Sequence, residues 1–258
     1  MAEKTEALTT PATTAVARPS FMTGTGAGKD HLTKEDLLIP RLALGQGLTP
    51  QVAEQKEGFA VGVLFNSVTE KLYGKGPIQF CILRADKPRF IQFRPREEGG
   101  GVVDMNVPAN DPRTQFGANG EKPVATKFYD FLVMVLPLED SNNPMDNVMA
   151  LSFKSTGLKV AKRLNSLLSM REGDLYEAVY TVSTGIEKNQ KGIYAVYKVE
   201  NAGWIGDEPT YLAAKKLFAL LADKEVAVHR DETGADEEID DSMAANPETS
   251  NEPMPADM

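Results

Sequence analysis

Between Arg84 and Arg96 the chain sets five cations, Arg84, Lys87, Arg89, Arg94 and Arg96, around two rings, Phe90 and Phe93, with Asp86 as the only acid. That mixture suits single-stranded nucleic acid, because cations hold phosphates while aromatic faces stack on bases of any identity. In a strand, side chains alternate between faces, so Phe93 falls with Arg89 and Ile91 while Phe90 falls with Gln92 and Arg94. Each face therefore presents one ring. The competing interpretation is a solvated edge strand with one core Phe.

Further pairs of the same chemistry recur downstream. Lys127 and Tyr129 share a strand face, as do Tyr194 and Lys198, so each pair offers a ring and a cation together; cross-strand packing is the alternative. Lys154, Lys159, Lys162, Arg163 and Arg171 form an acid-free run, readable as an extension of the phosphate path or as an ordinary solvated helix face. Lys188 and Lys191 sit in one expected loop, Arg113 and Lys122 in another. Trp204, the only tryptophan, is expected to pack against a terminal helix rather than to stack on a ligand.

Reactive chemistry finds little support. Residues 24–30 superficially suggest a phosphate-binding loop, but the spacing to Lys29 is one residue short and Asp30 stands where a Ser or Thr would hold magnesium. His31 and His229 flank segments expected to be flexible, poor places for a general base. Asp140 to Asp146 lacks the central Gly and the Glu of a calcium loop and reads as a turn. The single cysteine, Cys81, cannot form an internal disulfide and reads as a small core residue. No enzymatic activity, metal or cofactor is expected.

The elements that must position these residues follow from periodicity. Residues 34–44 read as a short helix or an extended arm broken by Pro40, and 58–68 as a first strand or hairpin. Residues 78–83 and 89–93 read as one bent strand or a tight hairpin through Asp86, Lys87 and Pro88, followed by a long loop from 97 to 123. Segments 127–136 and 147–154 form a hairpin. A helix from Ser155 or Thr156 to about Met170 has its apolar residues at helical spacing and Gly173 as its stop. Strands over 175–182 and 193–200 are joined by a loop from Glu187 to Lys191, and a last helix covers 209–221. The fold class is mainly β, and the order of elements is that of an OB-fold: a five-stranded Greek-key barrel with a helix between strands 3 and 4, here with a further C-terminal helix.

Charge is divided unevenly. The 258 residues carry 37 Asp and Glu against 28 Lys and Arg, a net charge of −9, yet ten of those acids lie after residue 230, leaving 27 acids against 28 bases. The expected organisation is a disordered leader over 1–30, a folded nucleic-acid-binding unit over 31–230, and a disordered acidic tail over 231–258. Asp236, Glu237, Glu238, Asp240 and Asp241 are its densest part. Tethered to a weakly basic groove, such a polyanion competes for it as an intramolecular ligand; a plain solubilising tail is the alternative. No apolar run approaches the roughly 18 to 20 residues of a membrane helix and no secretory signal is evident, so a cytoplasmic protein is expected.

Together these features resemble the phage and bacterial single-stranded DNA-binding proteins, which join an OB core to a flexible acidic C-terminus. Asp36 to Leu42, with Leu48, Thr49 and Pro50, also looks like the start of phage replication-region proteins. The resemblance implies sequence-tolerant binding of single-stranded DNA in replication or recombination, and recruitment of partner proteins by the tail. Tails of that family usually finish in an aromatic or Pro-Phe tip, whereas residues 253–258 here read Pro-Met-Pro-Ala-Asp-Met, which leaves two expectations open: a different partner, or softer apolar contacts from Met254 and Met258. An accessory or virion interaction protein without DNA binding is the competing function.

Overall fold

The computed structural model describes residues 38–95, 98–138, 144–189 and 192–221. The leader, the glycine-rich stretch, both histidines, Arg96, Lys191, residues 139–143 and the acidic tail lie outside them.

One bent strand is the spine. β4 (Ile78–Ala85) and β5 (Arg89–Phe93) run in succession along the same edge of β7 (Ala125–Leu136), with Ala85 opposite Phe131 and Arg89 opposite Phe128. Of the two geometries open to the sequence, the structure adopts the bent strand. The other edge of the spine is shared: β9 (Ala178–Asn189) pairs with β4, and β6 (Val102–Val107) pairs with β5. β8 (Val148–Phe153) and β10 (Gly192–Trp204) are hairpin partners of β7 and β9. Gly76 makes the entry to β4 possible, since its φ is +81° and an added Cβ would lie 2.6 Å from the Val182 carbonyl oxygen.

A second antiparallel sheet comes from β1 (Leu42–Leu44), β2 (Leu64–Asn66) and β3 (Leu72–Gly74), with a short α1 (Pro50–Ala53) between the first two. Pro40 leaves the arm before β1 extended, as one of the two readings of that segment expects. This arm occupies the gap between the outer edges of β8 and β10. Arg41 bridges Ala150 in parallel, and Ala150 N–H donates to the Pro40 carbonyl at 2.8 Å. On the β10 side the Gln46 amide imitates a peptide unit, donating to the Ala195 carbonyl at 2.8 Å and accepting from Ala195 N–H at 2.9 Å. The described strands thus form two antiparallel sheets and not a closed five-stranded barrel, because the edges that would close it are satisfied by residues 40–46.

From Phe80 to Leu83 both faces of β4 are buried. On one, Phe80 and Ile82 join Phe131, Leu151, Phe153 and Tyr180 in a core covered by β1–β3 and by α2 (Gly157–Ser169), which contributes Ala161 and Leu164. On the other, Cys81 and Leu83 meet Leu132 and Met134 under α3 (Glu208–Leu221), whose Tyr211, Ala214, Leu217, Phe218 and Leu221 recur at helical spacing. The Cys81 thiol is pushed up to about 12 by burial, as befits a core residue. Among the described residues no helix is long and apolar enough to cross a membrane.

Three local expectations need correction. The segment from 97 to 123 contains β6 and a 3-10 turn at Pro112–Thr114, because an unpaired β5 edge remained available there. Lys188 lies in β9, which extends with β10 as a long hairpin instead of opening into a loop at Glu187. Helix α2 lacks the expected hydroxyl cap: Ser155 has φ +45°, Thr156 is already helical, and the turn is closed by Gly157 N–H to the Lys154 carbonyl.

Candidate nucleic-acid interface

The β5–β7 pairing decides which of the candidate residues meet. Phe90 stands opposite Lys127 and Arg89 opposite Phe128, so neighbouring candidates are dealt to opposite faces of the sheet. On the α2 face, Lys127 Nζ lies 5.7 Å from the Phe90 ring centre and 5.0 Å from that of Tyr129. One cation therefore sits between two half-buried rings, an attraction worth about 0.5 to 1 kcal/mol per ring at such sites.

On the opposite face Phe93 and Phe128 pack with ring centres 6.1 Å apart. Arg89 approaches the Phe128 ring at 5.5 Å, and Lys154 Nζ lies 6.0 and 5.9 Å from Phe93 and Phe128. Arg89 also forms an ion pair with Asp130, whose other oxygen accepts from Ser152 Oγ at 2.5 Å. Asp86 N–H donates to the Asp130 carbonyl at 3.0 Å, so this network fixes the bend of the spine as well as the Arg89 side chain.

A cleft of about 100 Å³ opens beside this second cluster, where β8, the β1 arm and β10 converge. Arg41, Gln46, Phe128, Ser152, Lys154, Ser155, Thr156 and Tyr197 contribute to its walls. Two cations, two rings and several hydroxyl or amide groups thus face one concave surface. Arg41, Phe128, Gln46 and Tyr197 were not singled out by the sequence. Arg41 and Gln46 belong to an arm that reaches β8 and β10 only in the folded chain, and no local pattern reveals that.

The other candidates are placed differently. Arg84 donates to the Leu221 carbonyl at 3.2 Å and pairs with Asp86 at 2.8 Å, tying the end of α3 to the bend. Lys87 and Arg94 are exposed beside the spine. Tyr194 and Lys198 share the expected face, but on the β9–β10 arm, where Tyr194 Oη donates to Glu187 at 2.9 Å. Lys188 is exposed on the other face of that arm. Arg113 is a staple, bonded to Asp111 at 2.8 Å, to Gln92 at 2.7 Å and to Asp104 at 3.2 Å; its guanidinium holds the Asp111 carboxyl down at about 2.

Trp204 departs from its expected place. It is 55% exposed, and the Arg171 guanidinium lies 4.6 Å from its ring. A β-bulge between Asn201 and Gly203 reverses the alternation of β10, turning Trp204 toward the end of α2 while Ile205 packs in the core under α3.

The geometry defines a mainly β protein with a helix on each side of its principal sheet and cation-faced rings at one end. Residues 11–227 match the family described as Pam3 phage gp34-like protein, and the chain belongs to that phage family. No curated protein and no solved structure matches the chain.

Proposed function

We propose that this chain is a non-enzymatic, sequence-tolerant single-stranded DNA-binding protein of phage replication or recombination, acting in the host cytoplasm. The observation that carries the proposal is the cleft between Arg41 and Lys154, continuous through Phe128 with the cation-faced pair Phe93 and Phe128. Phosphates are held by Lys154, Arg41 and the exposed Lys87 and Arg94, and bases lie against the accessible ring edges. Lys127 with Phe90 and Tyr129 forms a separate contact around the edge of the sheet.

The fold assignment we attach to this function is an opened OB architecture. In its support, a bent first strand shares its edges between the second and fourth, a helix joins the third to the fourth, and the fifth is the hairpin partner of the fourth. Residues 40–46 take the place of the closing pair. The acidic tail competes with DNA for the cationic surface and, once displaced, recruits replication or recombination proteins.

Anisotropy of labelled oligo(dT) across a salt series tests this. Log affinity is expected to fall against log salt by about 0.7 for each phosphate neutralised, and Lys154→Gln to flatten the slope by about that amount. Deleting residues 231–258 tightens binding. A labelled strand remains intact with magnesium present. Absence of binding by the tail-deleted protein at low salt sinks the proposal and favours an accessory or virion interaction protein. That second function has its own support: β6 lies at a sheet edge, where Val103 and Met105 are exposed, and Phe116 and Val124 are exposed nearby in sequence.

A further inference from the structure

We infer that Trp204, backed by Arg171, is a stacking platform for a nucleobase, and that the strand reaches it along the exposed face of α2. This rests on the DNA-binding function proposed above and adds a contact region away from the sheet cleft.

The platform is a built feature. Arg171 lies between two rings, 5.5 Å from Tyr180 and 4.6 Å from Trp204, and its two terminal nitrogens donate to the Gly203 carbonyl and the Asn201 side chain. Asn201 Oδ1 accepts in addition from Gly203 N–H at 2.9 Å. Gly203 has φ +107°, which lets the bulge turn Trp204 out of the alternation that would have carried it to the other side of the sheet. A large ring is thereby held from behind while more than half of its surface stays in water. Holding it in advance removes part of the ordering cost of stacking.

Charge supplies the approach. From Lys154 to Arg171 there are five cations and no acid. Lys159, Lys162 and Arg163 are exposed on α2, opposite the buried Ala161 and Leu164, and Met170 is exposed at its end. The 13-residue helix spans about 20 Å, joining Lys154 in the sheet cleft at its start to Trp204 beyond its end. Glu172, Asp174 and Glu177 follow directly, so the path ends at the platform.

Because Trp204 is the only tryptophan, its emission reports the site without a label. Titration of the full chain with oligo(dT) at low salt, followed by both Trp emission and anisotropy of labelled oligonucleotide, is expected to show quenching that saturates with binding. Trp204→Ala should weaken binding by roughly tenfold, Trp204→Phe should retain most of it, and the pair Lys162→Glu with Arg163→Glu should weaken it with Trp204 intact. Circular dichroism and thermal melting confirm that the variants fold. If oligo(dT) binds with Trp204 emission unchanged and Trp204→Ala binds as tightly as the parent, the platform is overturned while the sheet cleft stands. If the parent and the tail-deleted chain bind no oligo(dT), the underlying function falls and takes the platform with it.

Discussion

β4 and β5 are successive parts of one bent strand on one edge of β7, yet they live in different surroundings. β4 is roofed by α2 and the small sheet on one face and by α3 on the other, so Phe80, Cys81, Ile82 and Leu83 are all buried. β5 has run past both helices. Its faces are covered by its own neighbours, with Lys127 between Phe90 and Tyr129 on one side and Lys154 with Arg89 against Phe93 and Phe128 on the other. The same backbone geometry therefore serves as a core below the bend and as a chemically rich surface above it. What separates them is the reach of the covering helices.

The contrast breaks most visibly in stability. Phe80→Ala should cost about 3 to 5 kcal/mol in denaturant unfolding, because a sealed core cannot collapse around the lost ring. Phe90→Ala, at a half-buried position, should cost no more than about 1 kcal/mol. Equal losses would show that β5 is as much a core strand as β4.

The bend itself gives a smaller effect. Asp130→Ala removes the acceptor shared by Arg89 and Ser152, leaving a partly buried guanidinium without its carboxylate, and should cost about 2 kcal/mol of unfolding free energy. Because Arg89 lies against Phe128, the loss should be accompanied by changed ring resonances of Phe128 in NMR spectra. Retained stability would mean that the bend is held by the backbone pairing alone.

The smallest effect concerns the staple beyond β5. Hydrogen bonds from Arg113 hold the folded carboxyl of Asp111 down at about 2, below its ordinary value, so the stabilisation is fully present above about pH 4 and is lost as pH falls through about 2. Carboxyl carbon shifts of Asp111 should titrate near 2 in the full chain and return toward 4 in Arg113→Ala. A midpoint near 4 in the parent would show that the Arg113 bonds do not persist in solution.

Much of the strand plan was legible, for identifiable reasons. The β7–β8 hairpin and α2 announce themselves by unbroken apolar periodicity on either side of turn-forming residues, and α3 by its stripe from Tyr211 to Leu221. β6 was hidden because Val102, Val103, Met105 and Val107 sit in a stretch dominated by Gly, Pro and Asn, and its strand form depends on an edge of β5 more than eight residues away. The candidate site was legible as a composition and not as a place. Parity correctly separated Phe90 from Phe93 and joined Lys127 to Tyr129, but it gave no sign that Arg84 would be spent on the end of α3. Trp204 was misplaced because the sequence ends its strand near residue 200, whereas β10 continues to Trp204 through a bulge between Asn201 and Gly203 that has no local signal.

Alone, the sequence determined the β7–β8 hairpin, helices α2 and α3, and the division of charge between a near-neutral body and an acid-rich final segment, since these depend on residues close together in the chain. Only the tertiary structure decided that residues 40–46 stand between β8 and β10, that Arg41 and Lys154 share one cleft, and that Trp204 turns to Arg171. Those outcomes come from hydrogen-bonding edges and side-chain packing between segments far apart in sequence, where no local preference selects the partner.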